Sequence, residues 1–286
     1  MKILIAGANG QLGTTLQKVF AGDELILTDS DNLDITDKLA VENFVDEKKP
    51  DLIINAAAYT AVDKAEVEKE LAQKINVDGA KNLALAAKKI GALIIHISTD
   101  FVFDGKKGTP YVETDQPNPL SIYGETKYQS ELAVSKNADK FYIFRTSWLF
   151  SEFGKNFVKT MIKLGREKDQ IKVVNDQIGS PTYAFDLAET MKKIIELQPK
   201  FGLYHFSNSG SCSWFDFAKK IIELSDGGAK VLPQTSSEFA AGRSEPTAIR
   251  PAYSVLNCKK IEKLGIFRRP WKNALEECVN KILTNE

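Results

Sequence analysis

Two spatial periods alternate along the first half of the chain. Short runs at 3–6, 25–28, 52–55, 93–98 and 141–145 are apolar on both faces and rich in β-branched residues, which predicts buried strands. Between them, 11–20, 38–47, 78–90 and 125–134 carry apolar residues at helical spacing. Strands that alternate with helices build parallel βαβ units, so the pattern predicts an α/β protein with a Rossmann-like, doubly wound parallel sheet. Beyond residue 150 the pattern is less regular, with Pro181, Pro233, Pro246, Pro251 and Pro270 punctuating predicted helices at 155–168, 183–197, 214–224 and 271–283. The expected division is therefore a dinucleotide-binding domain over 1–150 and a smaller α/β substrate-binding domain mainly over 151–286. The chain is expected to return to the first domain around 170–200. No internal repeat or low-complexity segment is visible. The stretch 104–120 contains Gly105, Gly108, Pro110, Pro117 and Pro119 and is too long for a simple connection. It is expected to form a wall or lid over an active site.

The first strand–helix junction reads Gly7-Ala8-Asn9-Gly10-Gln11-Leu12-Gly13. Glycines there allow a tight turn and let backbone N–H groups approach a pyrophosphate, whose charge the following helix N-terminus favours. Asp29 follows the second strand at the distance from this turn where an acid typically bonds the adenosine ribose hydroxyls. A ribose 2′-phosphate wants an Arg instead, and no Arg precedes Arg145. NADH is thus the first choice, with NADPH open because a Lys could serve. Asp34 and Ile35 are candidates for the adenine, and the small residues after the third strand leave room for a ribose at the strand's carboxyl end.

Tyr123 and Lys127 stand at i, i+4, on one face of a helix. A phenol with its ordinary pKa of about 10 is a usable proton donor, and a nearby Lys cation favours its anion. Thr99, at the end of a predicted buried strand, could hydrogen-bond a carbonyl oxygen beside that Tyr. Reduction of a ketone by a nicotinamide needs these parts.

Composition narrows the class. Lys and Arg number 38 and so do Asp and Glu, so the formal net charge is zero. That balance argues against nucleic acid and against an anionic membrane surface as partners. No apolar run approaches a membrane span. Cys212, Cys258 and Cys278 are odd in number and lack metal-ligand spacing, which fits reduced thiols in the cytoplasm. Every Arg lies at or beyond position 145. Arg243 and Arg250, in a Pro-bounded loop, are candidates for a substrate diphosphate, against ordinary surface pairing. Asn156 is a candidate for the nucleoside or sugar. Arg268 and Arg269 read as solvated surface. Trp214 and Trp271 lie among apolar residues at helical spacing and read as core, as do His96 and His205 in short apolar runs.

These motifs resemble the extended short-chain dehydrogenase/reductase superfamily and, more closely, the dTDP-4-dehydrorhamnose reductase family. The matching segments run through the chain: GANGQLG at 7–13, NAAAYTAVDKAE at 55–66, STDFVFDG at 98–105, PNPLSIYGETK at 117–127, RTSWLF at 145–150, VVNDQIGSPT at 173–182 and RPAYSVL at 250–256. The resemblance implies reduction of the 4-keto group of dTDP-4-dehydrorhamnose by NADH or NADPH. It implies Tyr123 as proton donor, Lys127 as its electrostatic partner and ribose anchor, and Thr99 as the hydroxyl that orients substrate. Asp100 would touch substrate, and Trp148 matches the family's sugar-site Trp, whose indole face would cover a deoxyhexose. Gly10, Gln11, Leu12, Asp34, Ile35, Ala58, Tyr59 and Thr60 match cofactor-contacting segments. Some members bind Mg²⁺ through carboxylates at a dimer contact; no ligand cluster here makes that case, so no metal is expected, while a homodimer is allowed. Two other readings stand beside this one. The first is an epimerase or 4,6-dehydratase acting on another nucleotide sugar, although Phe101 occupies the place of the dehydratase's acid. The second is a non-catalytic regulatory subunit, which has no need of Thr99, Tyr123 and Lys127 together.

Overall fold

The computed structural model describes residues 1–243 and 246–285. Its strands are β1 (Lys2–Ala6), β2 (Glu24–Thr28), β3 (Leu52–Asn55), β4 (Leu93–Thr99), β5 (Phe141–Thr146), β6 (Gln170–Val174), β7 (Gly202–His205) and β8 (Lys230–Gln234), with further two-residue pairings. The principal helices are α1 (Gln11–Val19), α2 (Lys38–Lys48), α3 (Val62–Ala65), α4 (Ala80–Ile90), α5 (Ile122–Asn137), α6 (Phe157–Glu167), α7 (Ala184–Leu197), α8 (Trp214–Leu224) and α9 (Trp271–Thr284). The five strands expected in the first half are all present, and each agrees to within a residue at either end.

Six strands form one parallel sheet in the order β7-β5-β4-β3-β1-β2. The order runs outward from β1 in both directions, so helices cover both faces, as the sequence pattern predicts. Side chains alternate across each strand. Ile3 and Ile5 therefore join Leu12, Leu16, Tyr142, Phe144, Leu187 and Met191 in a core under α1 and α7. Leu4 and Ala6 point the other way, into a core with Val41, Val45, Leu83, Ala87, Ile94 and Val134 under α2, α4 and α5. Burying these runs on both faces is what makes them near-continuously apolar. The chain comes back to this sheet after residue 183: α7 packs on α1, and β7 pairs in parallel with β5.

A separate core gathers Val158, Met161, Ile162, Phe217, Ile221, Trp271, Leu275 and Val279 from α6, α8 and α9, with Phe150 and Tyr183 from a short strand pairing. Beside it, β6 and β8 pair in parallel over Gln170–Val174 and Lys230–Gln234. The α8 start is fixed by a capping box, in which Ser213 accepts from Asp216 N while the Asp216 side chain accepts from Ser213 N. The stretch 104–120 is pinned to the first core. Tyr111 stacks on Phe103 with ring centroids 4.1 Å apart, and its N–H donates to Val255 O at 2.9 Å. None of its residues lines the two large cavities described below, so it buttresses the first core where a wall or lid was expected.

Candidate active site

The carboxyl ends of β1, β3 and β4 meet at one edge of the sheet, where ligands of open parallel sheets collect. A groove of about 490 Å³ runs there, lined by Gly7, Asn9, Gly10, Asp29, Asp34, Ile35 and Ala56–Ala58 among others. Two glycines of the turn are sterically required. Gly7 has φ +79°, and a Cβ on it would lie 2.7 Å from Ala57 N. A Cβ on Gly13 would lie 2.1 Å from Gly7 O, so the helix could not approach the turn. Asp29 is locked across the turn: its Oδ2 accepts from Asn9 N at 3.0 Å and its Oδ1 from Ser30 N at 2.9 Å. Asp34 accepts from Thr36 N at 2.9 Å, and hydrogen bonds to Thr36 hold its carboxyl below the usual range.

Other cofactor candidates fall differently. The Gln11 side chain donates to Leu149 O at 3.2 Å, and Leu12 is buried in the α1–α7 core. Neither side chain faces the groove, which leaves only their backbone at the helix N-terminus. Ala58 lines the groove. Tyr59 is held beside it: Asn76 Oδ1 accepts from Tyr59 N at 2.8 Å, and Asn76 Nδ2 donates to Thr126 Oγ1 at 3.0 Å. Asn76, in a π-helical stretch over Lys74–Gly79, thus joins the segment carrying Tyr59 and Thr60 to α5. The sequence reading gave it no role, because its partners lie far from it along the chain.

Helix α5 carries Tyr123 and Lys127. Its start is capped twice, by Ser121 Oγ accepting from Gly124 N at 3.2 Å and by Glu66 Oε1 accepting from Ile122 N at 2.9 Å. Tyr123 is half-buried, with the Thr99 hydroxyl near enough to its phenol to favour the anion. Thr99 Oγ1 also donates to Asp100 Oδ1 at 3.1 Å and accepts from Phe101 N at 3.2 Å. Burial pushes the Tyr123 phenol up to about 12, against the lowering effect of the Thr99 hydroxyl. The sequence led us to expect a proton-donating phenol lowered by the Lys127 cation, and the shift runs the other way. Desolvation dominates here and the Asp100 charge adds to it, while Lys127 Nζ is turned to donate to Ile97 O at 2.5 Å. Burial brings the Lys127 ammonium down to about 8, while Glu131 acts to raise it. Asp100 is buried as well, and desolvation lifts its carboxyl to about 6 against hydrogen bonds from Ser254 and Thr99.

A second cavity of about 520 Å³ adjoins this group through Phe101 and Ser254. Phe101 meets the Tyr123 ring edge-on at 5.5 Å. The cavity combines an aromatic wall of Trp148, Phe157 and Trp214 with the cations Lys172, Arg243 and Arg250. Trp148, at φ +49°, stacks on Trp214 with centroids 3.7 Å apart. A Cβ on Gly179 would come within 2.5 Å of Trp148 Cε2, so that indole is packed closely from both sides. Trp214 thus packs on the edge of the second core and also walls this cavity, whereas Trp271 is buried core as expected. Arg243 and Arg250 both line the cavity and both pair with Asp63, at 2.8 and 2.9 Å.

Asn156 is not among the lining residues. It caps α6, accepting from Lys159 N at 3.1 Å, and its Nδ2 donates to Ser151 O at 2.7 Å. Arg268 and Arg269 depart from the solvated surface expected of them. Arg268 pairs with Glu262 and donates to Ser207 O, and Arg269 bridges Asp186 and Glu277. His96 is a core residue held between Asn55 Nδ2 and Ser130 Oγ. All three cysteines are buried and unpaired. Among the described residues no cluster of His, Cys, Asp or Glu could hold a metal, and no helix is long and apolar enough to cross a membrane.

The family model for the RmlD substrate binding domain matches residues 1–284. The chain is 44% identical to the spore coat polysaccharide biosynthesis protein SpsK of Bacillus subtilis, with 96% of each chain covered. A crystal structure of a dTDP-4-dehydrorhamnose reductase from Clostridium acetobutylicum superposes with TM-score 0.94 at 48% identity, covering 99% of this chain and 100% of that one. A dTDP-4-dehydrorhamnose reductase from Bacillus anthracis, solved in complex with NADP, superposes with TM-score 0.93 at 43% identity, covering 98% and 99%.

Proposed function

This chain belongs to the RmlD substrate binding domain family, and we propose that it uses NADH or NADPH to reduce the 4-keto group of dTDP-4-dehydrorhamnose, giving dTDP-L-rhamnose. The observation that carries the residue assignment is the Tyr123–Thr99 hydroxyl pair at the sheet edge, next to a cavity walled by aromatic rings and arginines. The glycine turn fits a dinucleotide, because Gly7 and Gly13 have no room for a Cβ while the groove beside Gly10 stays open. When bound, the reduced nicotinamide supplies the hydride.

The chain's own residues do the rest. Thr99 orients the carbonyl oxygen, and Tyr123 donates a proton to it as negative charge develops there. A phenol held up near 12 stays protonated at neutral pH, which suits an acid; its anion is then strongly basic and recovers a proton quickly. Lys127 anchors the cofactor ribose and keeps a positive charge close to the phenol. Asp29 bonds the adenosine ribose. Arg243, Arg250 and Lys172 hold the diphosphate, and the Trp148–Trp214 pair bounds the nucleoside or sugar.

We divide the chain into a dinucleotide-binding unit, 1–150, and a substrate-binding unit made mainly from 151–286. The return of α7 and β7 to the first sheet supports the interleaving of the two units. A cytoplasmic location is supported by the three buried thiols and by the soluble metabolites used. The test is the loss of NADH or NADPH absorbance with the dTDP-keto sugar generated in situ. Turnover is expected with that sugar. No turnover, with altered kinetics of a partner enzyme, would favour the regulatory-subunit reading.

A further inference from the structure

We propose that Asp63 is a positioning residue for diphosphate recognition, acting through Arg243 and Arg250; the inference rests on reading the larger cavity as a nucleotide-sugar site. Asp63 lies in α3, immediately after the segment 55–60 that borders the cofactor groove. Its Oδ2 accepts from Arg243 Nη1 at 2.8 Å. Its Oδ1 accepts from Arg250 Nη2 at 2.9 Å and from Ala248 N at 3.0 Å. Arg250 is fixed at a second point, where its Nη1 donates to Ala248 O at 3.0 Å. One carboxylate therefore draws two guanidiniums to the same wall of the cavity.

Two arginines brought together without a counterion repel each other, and each gains by swinging out to water. Asp63 lets them converge before any anion arrives, so less ordering remains to be done on binding. Burial alone would raise the Asp63 carboxyl, but Arg250, the Ala248 amide and Arg243 outweigh it and keep the group ionised below the usual range. The charges also match. Lys172, Arg243 and Arg250 line the cavity, and no acid is among its described lining residues. Among the described residues, three cations and the one carboxylate behind them leave two positive charges to face the two negative charges of a nucleoside diphosphate sugar.

The same short helix reaches the catalytic group. Glu66, next after α3, accepts from the first N–H of α5 at 2.9 Å, one residue before Tyr123. Asp63 and Glu66 thus hold the phosphate-facing arginines and the start of the catalytic helix from a single turn of chain. That links the place where the diphosphate is anchored to the place where the carbonyl must lie, and such alignment is costly to lose.

The alternative role for Asp63 is that of a competitor, an internal anion that any incoming phosphate must displace. The two roles predict opposite signs. Calorimetric titration of the full chain with dTDP, and separately with NADH, distinguishes them. We expect Asp63→Asn to weaken dTDP binding about 10-fold and to raise KM for the keto sugar by a similar factor. NADH affinity should be unchanged, and Asp63→Glu should restore part of the loss. Unchanged or tighter dTDP binding in Asp63→Asn would overturn the inference, as would a parallel loss of NADH affinity, which marks general structural damage. Arg250→Met separates the two layers of the argument. If it weakens dTDP binding and Asp63→Asn does not, only the role of Asp63 falls. If Arg250→Met leaves dTDP affinity intact, the diphosphate reading of the cavity itself is wrong.

Discussion

The cofactor groove and the substrate cavity are of similar size, about 490 and 520 Å³, yet they are built in opposite ways. The groove is a backbone site. Its floor is one continuous turn between β1 and α1, and its strictest requirements are the missing side chains of Gly7 and Gly13. The cavity is a side-chain site, assembled from Phe101, Trp148, Lys172, Trp214, Arg243 and Arg250, which come from widely separated segments. A backbone site can be recognised in a short stretch of sequence, whereas a side-chain site exists only once the chain has folded. Tyr123 meets Phe101 of the cavity wall edge-on, and Thr99 ends β4 beside it; on the proposed mechanism, perturbing them should disable catalysis, while changes deeper in either region should affect only one ligand.

The largest effect is expected at the junction. Tyr123→Phe removes the donated proton and should lower kcat about 10³-fold with little change in NADH affinity; near-normal turnover would remove Tyr123 from the mechanism. The basic limb of the pH profile belongs to Lys127. Its ammonium is brought down to about 8 by burial, so its charge is present below that pH and is lost as pH rises through it. Since kcat/KM reports the free enzyme, kcat/KM should fall above about pH 8 and Lys127→Met should abolish that limb. A limb that survives in Lys127→Met would assign it to another group.

The smaller effect is confined to the groove. Asp29, fixed by the amides of Asn9 and Ser30, places a carboxylate in the groove where the adenosine ribose would lie. Asp29→Ser should shift the ratio of kcat/KM for NADPH over NADH upward by about 10-fold, leaving KM for the keto sugar unchanged. An unaltered ratio would show that Asp29 does not read the ribose.

Legibility in the sequence follows the same division. Five of the six strands of the large sheet could be read because burial leaves almost no polar interruption, as in the fully buried β3, whereas β7 was not read as a strand. The β6–β8 pair was missed. Strand β6 alternates exposed and buried positions, and β8 contains Pro233, which argues against a strand unless it lies on an edge. Trp214 packs on the second core as its spacing suggests, but helical spacing among apolar neighbours does not show that it also faces a cavity. The glycine turn and the Tyr123/Lys127 pair were legible because their parts are close in sequence. Asp63 was not, since its partners Arg243 and Ala248 lie 180 and 185 residues away. Gln11 and Leu12 belong to the cofactor motif by position, yet their side chains serve the packing of α1, a distinction that only the fold reveals.

The central claim is that the two differently built regions meet at one reacting carbon. Incubation with dTDP-4-dehydrorhamnose and NADH carrying deuterium at both C4 positions of the nicotinamide tests this directly, with the product analysed by mass spectrometry and NMR. The account predicts dTDP-L-rhamnose with one deuterium at C4 of the sugar and none elsewhere. An unlabelled product, or deuterium at another carbon, would contradict it.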